Sequence, residues 1–237
     1  MTQMKTRWLT LLLGSIPSLA LASVGAAQSA PTVAVLPFED GGSHGRPDEE
    51  FAGLRRGIAA VLASELARHA SVRVADRSEV ARLLAADGLG DAARFDAATA
   101  ARIAQSAGAG LAVAGTFIDV YGDVRLDARL VVVGSGTISK VVRSDPKLTD
   151  RRQLFRIIQS VAERIVEAGG LGAVNPAGRE AARARNLTTE ALTDYGRGLL
   201  YIDRGDPTKA EEFLARAAAT ADFSEAQQAL RSLRGRS

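Results

Sequence analysis

Three β-rich runs, 111–120, 124–133 and 137–143, follow one another with almost nothing between them. Only Tyr121-Gly122-Asp123 and Gly134-Ser135-Gly136 separate them. Connections that short join antiparallel neighbours, so the runs form a meander. Upstream, β-rich and helical stretches alternate: a strand at 32–38, a helix from Asp48, a short strand at 72–74, and helices at 76–86 and 97–107. A further helix follows the meander, capped by Thr149 or Asp150, with Leu154, Phe155, Ile158, Val161, Ala162, Ile165 and Val166 on one face. The order β-α-β-α-α-β-β-β-α predicts an α/β fold, a mixed β-sheet with helices packed on it.

Helix ends are marked by charge and by capping residues. Asp48-Glu49-Glu50 put acidic groups at the positive end of the first helix dipole. In that helix Leu54, Ile58, Val61, Leu62 and Leu66 share one face, and Arg55, Arg56, Glu65 and Arg68 lie on the other. Asp76 with Glu79 has capping-box spacing, and Asp96 opens the next helix.

Residues 1–27 read as a secretory signal peptide rather than fold material. Lys5 and Arg7 form the positive start, an interrupted apolar stretch follows, and Gly25 and Ala27 fit a small-x-small cleavage site. The remainder is expected in the periplasm. No later stretch approaches the roughly 20 apolar residues of a membrane-spanning helix. There is no cysteine, so no disulfide supports the fold, and the lipid attachment that needs a cysteine at the signal boundary is not expected. The net charge of +3 falls to +1 without Lys5 and Arg7, and no basic patch calls for nucleic acid.

Gly169-Gly170-Leu171-Gly172, Asn175-Pro176 and Gly178 break the pattern. They divide an α/β domain at 32–170 from a linker at 171–186 and a helical segment at 187–237. Within the last, "ALTDYGRGLLYIDRGDPTKAEEFLARAAATADF" resembles one tetratricopeptide repeat, with Gly198, Tyr201, Gly205, Asp206, Ala210, Leu214 and Ala217 at the motif's offsets. Asp194 stands where a bulky aromatic is usual, and Asp222 where proline is usual. A third helix is expected near 225–233. In repeat geometry Leu192, Tyr195, Leu199 and Ile202 line the concave face, and four apolar residues there need cover. The cover is either the first domain, a second copy of the chain, or a partner protein. These four residues are the candidate protein-interaction site.

Chemistry-bearing constellations are sparse. Gly41-Gly42 follows the first strand, yet the sequence around it is neither G-x-G-x-x-G nor a Walker loop. Glu39, Asp40, Asp48, Glu49 and Glu50 surround that loop and would repel a phosphate. His44 and His69 are the only histidines and lie in a loop and at a helix end. Neither suits a general base, and two separated histidines do not build a usual zinc site. The carboxylates Glu39, Asp40 and Asp48 match no calcium loop spacing. No catalytic residue, cofactor or metal is therefore assigned.

"VAVLPFED", "GLRRGIAAVLASELAR", "VRVADRSEVARLL", "AARIAQSAGAGLAVAGTFID" and "RLDARLVVVGSGTISK" occur in an order that resembles the CsgG-like family, with its TolB N-terminal and FlgO-type relatives. The resemblance covers about 32–170 and implies a bacterial envelope protein without enzymatic activity. Pore-forming members carry a lipid-bearing cysteine and long membrane hairpins. Here the cysteine is missing, and Asp119, Asp127 and Arg129 interrupt the only comparable hairpin. The expected function is that of a non-enzymatic, exported adaptor or scaffold in envelope assembly or secretion, acting on protein partners or as a homo-oligomer. A subunit of an outer-membrane secretion pore is the alternative, and an enzyme or nucleotide-binding protein comes third.

Overall fold

A computed structural model describes residues 30–89, 94–144, 147, 149–172, 180 and 184–235. The expected signal peptide and most of the expected linker lie outside these residues. The elements are β1 (Thr32–Val35), β2 (Glu39–Asp40), α1 (Asp48–Ala67), β3 (Arg73–Val74), α2 (Arg77–Ala86), α3 (Ala97–Ser106), β4 (Leu111–Val120), β5 (Asp123–Val132), β6 (Thr137–Arg143) and β7 (Thr149–Asp150). A 3-10 turn at Arg151–Gln153 leads into α4 (Leu154–Ala168), and α5 (Thr189–Asp203), α6 (Pro207–Ala218) and α7 (Ser224–Arg234) follow. This is an α/β fold with a mixed sheet.

The sheet runs β3-β1-β4-β5-β6, with β2 beside β4 and β7 beside β5. β1 is parallel to both β3 and β4, and the meander β4-β5-β6 is antiparallel. The strand expected at 32–38 breaks after Val35 for a local reason. Pro37 has no N–H to give a ladder, and the Phe38 amide turns away to donate to the Arg55 carbonyl of α1 at 3.0 Å. The Phe38 ring crosses β4 at Gly115, where a Cβ would come within 2.1 Å of it. The β4–β5 turn uses Tyr121 at φ 53° and Gly122 at φ 99°. Both are left-handed, as a two-residue hairpin matched to strand twist requires.

Helices cover both faces. Ala34, Leu36, Ala112, Ala114 and Val131 meet α2 and α3 on one side. Val33, Val113, Phe117, Leu126 and Leu130 meet α1 and α4 on the other. Asp76 caps α2 by accepting from the Ser78 and Glu79 amides, and Asp96 caps α3 by accepting from Thr99. Glu79 does not close a capping box, because its carboxylate holds Arg82 instead.

One more layer lies outside α1. Helices α5, α6 and α7 pack there, so α1 is sandwiched between the sheet and α5. The charged face of α1 is accordingly not solvated throughout: Arg55 is 6 % and Glu65 3 % exposed. Sequence periodicity cannot distinguish a helix covered on one side from one covered on two when the second cover binds charge by pairing it. The main core runs unbroken from Val33 and Phe117 through Leu62 and Ile158 to Leu192, Leu214 and Phe223. Among the described residues no helix is long and apolar enough to cross a membrane.

Candidate functional site

The four residues singled out in the helical segment lie together on α5. Leu192, Tyr195 and Leu199 are 0 %, 6 % and 2 % exposed and belong to the main core, and Ile202 packs half-buried at its edge. The chain itself covers them, with α1 as the principal neighbour. Tyr195 meets Phe223 edge-on at 5.0 Å, and burial pushes its phenol up to about 12. These side chains offer no open surface in this conformation.

Glycines allow the contact to be so close. A Cβ at Gly196 would stand 2.3 Å from the Gly53 carbonyl oxygen, and one at Gly57 2.9 Å from the Leu192 carbonyl oxygen. The α1 and α5 backbones therefore touch, which is the geometry that small residues four apart permit. A glycine inside a helix costs about 1 kcal/mol relative to alanine. Gly53, Gly57 and Gly196 were thus visible in the sequence as helix glycines needing a packing reason, and the seam supplies it.

Ion pairs line the seam. Glu49 accepts from the Tyr201 hydroxyl at 2.7 Å and from Arg197 Nε at 2.9 Å. The Tyr201 bond first, and Arg197 second, hold the Glu49 carboxyl below its ordinary 4.5. A depressed acid stabilises the fold above its unfolded value, and this contribution is lost as pH falls through the folded one. Glu49→Gln is therefore expected to flatten the loss of thermal stability below pH 4.5 while leaving the neutral-pH slope unchanged, as a melting series from pH 3 to 7 would register.

Deeper in the seam, Arg185 bridges Glu65 of α1 at 2.6 Å and Glu225 of α7 at 2.7 Å, all three largely buried. Burial raises the Glu65 carboxyl. Burial acts the same way on Glu225, but bonds from Ser64 and Arg185 outweigh it and hold that carboxyl low. Arg151, 5 % exposed, reaches Asp119 at 2.8 Å and the Thr193 hydroxyl at 3.1 Å. Asp119, which interrupts the hairpin in sequence, is thus a buried half of an ion pair that ties β4 to the 3-10 turn before α4, and Arg151 reaches on to α5 through Thr193.

The acidic loop after β1 is occupied by its own bonds. Asp40 Oδ1 accepts from the Gly42 and Ser43 amides, and Glu39 holds Arg129 and the Phe95 amide. Glu50 pairs with Arg46 at 3.0 Å. The His44 backbone bridges β4 through Asp119 and Tyr121. His69 sits half-buried just past α1. Among the described residues no three or more His, Cys, Asp or Glu side chains are grouped to hold a metal ion.

Two open features were not foreseen. The first is β6, the last strand of the sheet, of whose residues only Val142 is buried. A register shift between Leu130 and Val131 sets Ile138 opposite Val131 and Val141 opposite Arg129. Both therefore point to the α3 side, 43 % and 51 % exposed. The second is a groove of about 530 Å³ between α1 and α2, at the carboxyl ends of β1 and β3. Ala59, Ala60 and Ala63 of α1 face Ala81 and Ala85 of α2 across it, and arginines stand at its mouth. Alanine stripes on the two helices carried that signal.

Residues 17–123 match the family described as curli production assembly/transport component CsgG. No curated protein matches in sequence. Among solved structures, the LpoB C-terminal domain from Salmonella enterica is 16% identical, covering 50% of this chain and 84% of that one at a TM-score of 0.34. E. coli LpoB is 12% identical over 63% of this chain and 84% of its own, with a TM-score of 0.42. The PelC dodecamer from Paraburkholderia phytofirmans is 16% identical over 62% and 91%, at 0.37. The family match ends at Asp123, the first residue of β5, so it takes in β1 to β4 with the helices between them. Over those residues this chain is similar to the CsgG family.

Proposed function

We propose that the protein is an exported, non-catalytic adaptor of the bacterial cell envelope that works by protein–protein contact, with the β6 edge as its contact strand. The family match supports an envelope role. The observation that carries the contact assignment is the exposure of β6, whose outer backbone groups and two aliphatic side chains form a template for another strand. Lys140 and Arg143 on the same strand discourage indiscriminate pairing and select a partner edge of acidic character.

A photo-crosslinking residue placed at Val141 in cells tests this. It is expected to give a discrete protein adduct, and the same probe at Lys209, on the exposed side of α6, is expected to give none. Ile138→Lys in the Val141-probe background is expected to reduce the adduct about tenfold. Equal labelling at both positions, or no adduct at Val141, refutes the assignment.

A further inference from the structure

The α1–α2 groove opens at the carboxyl ends of two parallel strands, β1 and β3. From β1 the chain crosses through α1, on one face of the sheet, to β3 on one side of β1. From β3 it crosses back through α2 and α3, on the opposite face, to β4 on the other side. The strand order thus reverses between β1 and β4, and the groove lies one strand over, beyond the carboxyl ends of the parallel pair β1 and β3. Val35 at the end of β1, Pro37 beyond it and Ala75 after β3 line this groove.

Size and lining narrow the occupant. The volume, about 530 Å³, falls within the roughly 300–1,000 Å³ of small-molecule sites. The walls are aliphatic, with Leu84, Leu89 and Phe95 at one end. At the other end Arg56 and Arg77 share the single carboxylate of Asp203, at 2.8 and 3.0 Å. Five arginines line the groove among the described residues; Arg82 is held by Glu79 and Arg55 donates to the Phe38 carbonyl, so the charge available to a head group is that of the Arg56–Asp203–Arg77 cluster. Apart from charged groups, Ser78 is the only polar side chain there, which is poor provision for a nucleoside or a sugar.

We propose that this groove binds a single-chain anionic amphiphile, with its alkyl chain between the alanine stripes and its carboxylate or phosphate at the arginine end. The alkyl chain replaces water against apolar walls, and the head group meets guanidiniums that match its fork geometry.

Calorimetric titration of the signal-free chain with laurate, lysophosphatidylglycerol and the nonionic dodecyl maltoside, each below its micelle concentration, tests the site. Saturable binding of one molecule per chain is expected for an anionic amphiphile, with the maltoside at least tenfold weaker. Laurate alone binding assigns a free fatty acid, and the lysolipid alone a membrane-lipid head. Ala81→Phe, which fills the groove, is expected to abolish binding. Arg77→Gln, which removes one guanidinium at the arginine end and leaves the Arg56–Asp203 pair, is expected to weaken it about tenfold. Failure of both anions to saturate, equal binding of the maltoside, or wild-type affinity in either variant overturns the proposal.

Discussion

Gly196→Leu is expected to destabilise the chain by about 3 kcal/mol or more, among the largest effects of any single substitution in it. The Cβ alone would stand 2.3 Å from the Gly53 carbonyl oxygen and 2.7 Å from its carbon, which is backbone and cannot rotate away. Relief requires α5 to lift from α1. Lifting α5 uncovers Leu192, Tyr195 and Leu199 and strains the Glu49–Arg197 and Arg56–Asp203 pairs. Gly196→Ala meets the same clash with less bulk, so it falls between the leucine variant and wild type. Gly110→Ala is the control: nothing lies within 4 Å of its Cβ position, and an effect within about 0.5 kcal/mol is expected. Urea titrations of the three variants give the ranking.

Arg151→Ala is expected to cost about 3–5 kcal/mol, because it leaves Asp119, 1 % exposed, as an uncompensated charge in the interior. The side chain also reaches the Thr193 hydroxyl, and its carbonyl accepts from Thr189 Oγ1 at 2.6 Å, so one residue secures the start of α4 against the first turns of α5. Removing both charges in Asp119→Ala/Arg151→Ala should be less damaging than the sum of the single changes. A double-mutant cycle by equilibrium unfolding measures that coupling, and strict additivity would mean that the pair does not interact.

Much of the α/β layer was legible because it follows from local rules. The bounds of β4 and β6 coincide with the apolar runs at 111–120 and 137–143, and Asp76 and Asp96 lie before their helices as capping oxygens. Gly205 at φ 72° turns α5 into α6, as the glycine in the sequence suggests. What escaped was non-local. Glu65 looked like a solvated position until a second layer, more than a hundred residues away in sequence, supplied Arg185 and Glu225, and Arg55 turned out to donate to the Phe38 carbonyl where β1 ends. The same layer explains two departures from the repeat pattern. Asp194 pairs with Arg216 at 3.1 Å, and Asp222 adopts φ 61°, which proline's ring forbids. Neither Ile138 nor Val141 announced itself either, because exposure on an edge strand depends on where α3 stops covering the sheet.

In this account the C-terminal helices are built into the scaffold, and contact with other molecules belongs to the β6 edge and the α1–α2 groove. Leu199→Asp followed by amide hydrogen exchange tests this most directly. A buried carboxylate in the seam should strip protection from α1 and α4 along with α5, since all three share one core. If α1 and α4 keep wild-type protection while only α5, α6 and α7 exchange, the helices are a separable module and the account is wrong.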